Sequence, residues 1–104
     1  MKEMINRGGE KISPAEVDAA LQSHPMIKDA AAFPVPHPTL GEIVGAALVP
    51  RDGAPPLERK ELIAFLRPKL GKVKVPTVFV HVEEIPRGQY SKILRNKLAD
   101  LIKT

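Results

Sequence analysis

The sequence predicts a small α+β domain: an N-terminal β-hairpin, then a roughly three-stranded sheet flanked by about three helices. Three observations predict it. Two mainly apolar runs of strand length, 29–35 and 42–50, lie side by side, and "TVFVHVEEI" places Val78, Val80 and Val82 on one face by period two. Three other stretches keep apolar residues at helical spacing. Proline- and glycine-bearing loops punctuate these elements, and 104 residues suffice for one modest core.

The elements follow in order. In "EMINRGGEKI" (3–12) the residues alternate loosely around two adjacent glycines, a pattern for a short strand or bent hairpin. "SPAEVDAALQSHP" opens with Ser13 as helix cap, Pro14 in the first helical position and Glu16 completing a capping box; Val17, Ala20 and Leu21 form an apolar face, and Pro25 ends the helix. The strands at 29–35 and 42–50 are joined by "PHPTLG", and "RDGAPP" (51–56) leads to a helix at 58–70 carrying Leu62, Phe65, Leu66 and Leu70 on one side. The last helix is expected over about 91–102, with Leu94, Leu98, Leu101 and Ile102 as its inner stripe.

Composition narrows the function. Hydrophobic residues are 43% and charged residues 27%, the balance of an ordinary globular chain. The longest apolar run, "IVGAALV", is far below the ~20 residues that cross a bilayer, and "MKEMINRGGEK" lacks the apolar centre of a signal peptide. The absence of cysteine excludes a disulfide scaffold and thiolate metal sites and suits a reducing cytoplasm. A net charge of +4 raises the question of nucleic acid, but the aromatics are scattered and no G-x-x-G loop is present, which makes that partner a poor fit.

The residues that could carry chemistry are few. His24, His37 and His81 show no metal-ligand spacing, and neither a G-x-S-x-G elbow nor a G-x-x-x-x-G-K-[ST] loop occurs. Gly8 and Gly9 fit two readings: a hairpin turn, or with Arg7 and Lys11 a narrow basic strip for a phosphate-bearing chain. Lys92 is the odd residue. At the start of the expected last helix a cation opposes the macrodipole by about 0.3–1 kcal/mol, so it is either a solvated surface lysine or one that reaches, with the helix N-terminus, toward an anion.

Taken together, "INRGGEKISPAEVD" and "IPRGQYSKILRNKL" resemble I-x-x-G-G-x-x-I-x-P-x-E-V-E and P-R-T-x-x-G-K-I-x-R-x-x-L of the C-terminal domain of the adenylate-forming superfamily, acyl-/aryl-CoA synthetase branch. The likeness runs through the whole chain in order. It implies the mobile C-terminal domain of an ATP-dependent carboxylate-CoA ligase, which joins an acid to AMP with release of pyrophosphate and then passes the acyl group to a thiol. It also implies a large N-terminal domain, outside these 104 residues, that binds most of the ATP, magnesium ion and CoA. By this resemblance Lys92 is the adenylation lysine, Lys2 the hinge position, Gly8 and Gly9 the pantetheine-facing strand, and Lys11 a contact to nucleotide or CoA phosphates. The chain would be a piece cut at the hinge or a separate subunit, inactive alone. Two residues depart from the pattern: Ser91 stands where glycine usually precedes the lysine, and Gly88 replaces the threonine. Alternatives are an adenylation domain that acylates a carrier protein, and a basic α+β module that holds RNA or an acidic protein. The segment around Gly8 and Gly9 leans toward the CoA branch, and which acid is activated is not encoded in this domain.

Overall fold

The structure, a computed structural model, describes residues 3–102. Strands β1 (Ile5–Arg7) and β2 (Glu10–Ile12) form the hairpin, helix α1 (Pro14–Gln22) follows, and β3 (Ile27–His37) and β4 (Gly41–Pro50) make a long antiparallel pair. Helix α2 (Arg59–Leu70), strand β5 (Val78–His81) and helix α3 (Arg95–Asp100) complete the chain. The three strands expected at the centre are joined by the hairpin in one five-stranded sheet, in the order β2-β1-β4-β3, with β5 parallel to β4.

Period two sorts the sheet residues onto two cores. Ala30, Ala32, Val44, Ala46 and Leu48 face one way and meet Val17 and Leu21 of α1 and Leu62, Leu66 and Leu70 of α2. Ala31, Phe33, Val35, Ala47 and Val49 face the other way and meet Ile85 and Leu98. The helices therefore lie on both faces, which is why β3 and β4 read as continuous apolar runs.

Strand β3 forms a sheet edge, and its prolines exploit this. The amides of Ala30 and Ala32 are taken by side chains, Asp29 and Asp18, so even-numbered positions turn their N–H to the free edge. Pro34 and Pro36 continue that series and sacrifice no ladder bond.

Gly45 pairs directly with Phe33 across the β3–β4 ladder. A Cβ there would sit 2.7 Å from Val35 Cγ2 and 2.9 Å from the Phe33 ring. Gly45→Ala should thus destabilise by about 1–3 kcal/mol through overpacking, read as a lower urea midpoint at unchanged m.

Two local expectations are corrected. Ser13 is the N-cap residue of α1 but makes no side-chain capping bond, and Glu16 instead binds Lys74 Nζ at 2.9 Å. The last helix is only six residues long, because the chain before it is closed into a loop.

Candidate functional site

Gly8 and Gly9 form the two-residue turn of the first hairpin, with φ of +57° and +95°. Those angles match a type I′ turn, which needs positive φ at both positions. Gly8 N–H donates to Leu40 O at 2.8 Å, fastening this turn to the one between β3 and β4; a Cβ on Gly8 would meet Leu40 Cδ2 at 2.9 Å. The space around Gly9 is open, with nothing within 4 Å of a Cβ built there.

The basic strip does not form. Asn6 pairs with Lys11 and Arg7 with Glu10, so Lys11 and Arg7 occupy opposite faces of the hairpin. Lys11 is exposed on the face opposite buried Ile5 and Ile12. Lys2, the expected hinge, lies outside the described residues.

Lys92 occupies a closed loop, residues 86–94. Gly88 N–H donates to Lys92 O at 2.8 Å and Leu94 N–H to Pro86 O at 2.9 Å, with Arg87 and Ile93 bridged between them. The backbone at Lys92 is extended, φ −66° and ψ 127°, and α3 begins three residues later. The expected helix start at Lys92 is therefore corrected: Gly88 N–H takes the Lys92 carbonyl that a helix would need, and the bonds across the loop hold the backbone extended there. The helix dipole plays no part in where Lys92 points, since its field falls off within the first turn.

The loop is latched to the sheet at its base. Arg87 donates from Nη1 to Asp29 Oδ2 at 2.7 Å and from Nη2 to Oδ1 at 3.2 Å, and these bonds hold the Asp29 carboxyl below the usual carboxylate range. The latch is thus intact above the unfolded carboxylate pKa and is lost as pH falls through the lowered folded value. At the outgoing end Arg95 is buried, 8% exposed, and forks onto Asp18, which is 7% exposed. Arg95 Nη1 donates to Asp18 Oδ1 (3.1 Å) and to Ala32 O (2.8 Å), Nη2 to Asp18 Oδ2 (2.9 Å), and Nε to Glu3 Oε1 (3.2 Å). Burial disfavours this cation, but the Asp18 carboxylate outweighs it and holds the guanidinium pKa above its ordinary value.

At the tip, Tyr90 and Ser91 both have positive φ, +57° and +61°. Tyr90 is 99% exposed, and the Lys92 side chain is exposed beside it with no ion pair or hydrogen bond among the described residues. Lys92 lines one shallow groove of about 270 Å³ with Glu3, Arg95 and Lys97. The departure at Ser91 now has a physical consequence. Left-handed backbone costs a non-glycine residue about 1–2 kcal/mol, part of which is offset by the greater entropy glycine loses on folding. Ser91→Gly should therefore raise Tm by about 2–4 °C, whereas Ser91→Ala should give no gain, as thermal melts of both variants would show.

Sequence reasoning passed over Arg95, Asp18, Arg87 and Asp29, whose pairings span 77 and 58 residues. One signal was present: Asp18 falls between Val17 and Leu21 on the inner side of α1, where a carboxylate needs a partner.

Comparison with known proteins gives the family and supports the fold. A model of the AMP-binding enzyme C-terminal domain matches residues 16–92. The chain is 43% identical over 100 residues to oxalate–CoA ligase of Saccharomyces cerevisiae, covering 96% of this chain and 18% of that protein. With 2-succinylbenzoate–CoA ligase of Bacillus velezensis it shares 38% over 101 residues, covering 97% and 20%. A solved o-succinylbenzoate CoA synthetase from Bacillus subtilis, bound with a product analogue, superposes with a TM-score of 0.87 at 34% identity, over 96% of this chain and 20% of that one. The chain thus spans about one fifth of the length of the curated relatives it matches. Family model, relatives and fold agree, and the chain belongs to the AMP-binding enzyme C-terminal domain family of the adenylate-forming superfamily.

Proposed function

We propose that this domain acts in an ATP-dependent carboxylate–CoA ligase and that Lys92 serves its first half-reaction. The observation that carries the reading is an exposed cation, without a partner among the described residues, next to the tip of a loop latched at both ends. In the first step a carboxylate oxygen attacks the α-phosphorus of ATP and pyrophosphate leaves. Two anions must meet, and a fixed ammonium between carboxylate and nucleotide oxygens lowers that barrier. In the second step the thiol sulfur of CoA attacks the acyl carbon and AMP leaves, while the thiol proton passes to solvent or a base.

The glycine turn fits the second step. Its open space at Gly9 admits a pantetheine chain, with Lys11 on the adjoining strand as a phosphate contact and Lys2 as the pivot. The turn is tied to Leu40, beyond the end of β3, whereas the lysine loop is latched to Asp29 near its start. At about 3.3 Å per residue Asp29 is roughly 26 Å along the strand from His37, where β3 ends and the turn holding Leu40 begins. With the lysine loop and the glycine turn on separate anchors, we read the domain as turning between the two steps, against a larger N-terminal domain. The magnesium ion that accompanies ATP would be held by the nucleotide phosphates and by the larger N-terminal domain that binds most of the ATP.

The relatives named above are CoA ligases, which favours CoA over a carrier protein as acceptor. No helix among the described residues is long and apolar enough to cross a membrane, and with a chain free of cysteine we read the enzyme as cytoplasmic.

Pyrophosphate release and thioester formation from supplied acyl-adenylate test the reading separately. Gly9→Asn keeps the left-handed turn, since asparagine tolerates it, and adds a side chain to the open space. It should cut thioester formation by about tenfold or more and leave adenylation within about twofold. Equal loss in both steps would sink the role given to the turn.

A further inference from the structure

We propose that Glu3 and Arg95 form a positioning pair for Lys92, an inference that rests on the reading of Lys92 as the adenylation lysine. Arg95 follows Lys92 by three residues, and between them Ile93 packs in the second core while Leu94 is tied to Pro86 O. The outgoing backbone of the lysine is therefore fixed by wherever the Arg95 guanidinium is fixed. Asp18 and Ala32 O meet the needs of the buried cation through Nη1 and Nη2. Glu3 is not needed for that purpose. It takes the Nε–H, its side chain is 44% exposed, and a contact so open adds little to stability.

What Glu3 does have is a place beside the lysine. It and Lys92 line the same groove, with Arg95 and Lys97 in the same wall. Glu3 is the one carboxylate in that lining, facing three cations, and it is held at its oxygen by Arg95. This arrangement does two things. It keeps the segment leading into β1 against the lysine loop, and it sets a negative charge on the wall along which the Lys92 ammonium must extend. Without Glu3 the ammonium loses its orienting charge, and the groove gains free volume into which the side chain can turn away. The pair thus acts on the reach of Lys92 and on no group of the second step.

The experiment is a double-mutant cycle in the ligase that carries this domain, with both half-reactions measured. Glu3→Ala is expected to slow adenylation about tenfold, leave thioester formation from supplied acyl-adenylate within about twofold, and move Tm by no more than about 2 °C. Glu3→Gln keeps an oxygen to accept from Arg95 Nε and should retain more activity, losing about threefold. In a Lys92→Ala background Glu3→Ala should cost nothing further, because its effect passes through the lysine. Full adenylation in Glu3→Ala, equal loss in both steps, or an undiminished tenfold loss in the Lys92→Ala background would each overturn the pairing. The first of these, found beside a large loss in Lys92→Ala, removes the positioning role alone. Unimpaired adenylation in Lys92→Ala would instead remove the catalytic reading and this inference with it.

Discussion

Lys92→Ala is expected to slow acyl-adenylate formation by about 10²–10³-fold while thioester formation from supplied acyl-adenylate stays within about threefold. An ammonium about 4 Å from a unit of developing charge is worth about 4 kcal/mol at an effective dielectric near 20, close to a thousandfold in rate. The loop's fixed backbone limits what ordering the charge takes from that figure, which leaves a loss of about 10²–10³-fold. The substitution leaves the loop intact. Its closing bonds are main-chain, Gly88 to Lys92 and Leu94 to Pro86, and its latch is Arg87 on Asp29. An exposed side chain with no partner among the described residues should change stability by less than about 0.5 kcal/mol. Single-turnover pyrophosphate release measured beside thioester yield gives the answer. A comparable fall in both steps would show that Lys92 serves the fold or the docking of the domain and not the first chemistry.

How far the sequence revealed this site depends on the range of the interactions that built it. The amphipathic faces of α1 and α2, the apolar runs of β3 and β4 and the alternation in β5 are local patterns that spacing made readable, whereas at Gly8 and Gly9 spacing left the hairpin turn and the basic strip both open. Lys92 also stood out, though for a reason that does not hold in three dimensions. The stripe of Leu94, Leu98, Leu101 and Ile102 promised a helix from residue 91, yet Leu94 gives its amide to Pro86 and Leu101 is 54% exposed. Tertiary closure of the loop overrode helical spacing there. Glu16 failed as a capping-box partner for the same kind of reason, because Lys74 offered it a charge from across the chain. Arg7 and Lys11 looked like one basic strip along the sequence, and only the two-residue register of the hairpin separates them. Of the long-range ion pairs only Asp18, on the inner side of α1, leaves a periodic trace, and its partner emerged only with the fold.

The largest effect on stability should come from Asp18→Asn. Arg95 would remain buried with a neutral amide against it, one of whose groups is a donor facing the donors of the guanidinium. Breaking a buried pair on one side costs about 3–5 kcal/mol, a large part of the roughly 5–15 kcal/mol that holds a domain together. At about 4–8 °C per kcal/mol the melting temperature should fall by about 15 °C or more. The pair also has a task that ordinary ion pairs lack. Ala32 lies on the free edge of β3, its N–H donating to Asp18 Oδ1 at 2.6 Å and its C=O accepting from Arg95 at 2.8 Å. Asp18 and Arg95 therefore clasp α1 and α3 around that edge and close it against pairing with another chain. This predicts a difference from buried pairs that hydrophobic residues replace at no cost. Asp18→Leu with Arg95→Met should recover only part of the loss, since both backbone groups of Ala32 stay unsatisfied at about 1–3 kcal/mol each. Urea unfolding of the single and double variants measures this. Full recovery in the double variant would mean that the edge of β3 needs no side-chain cover and that the pair serves only to neutralise itself.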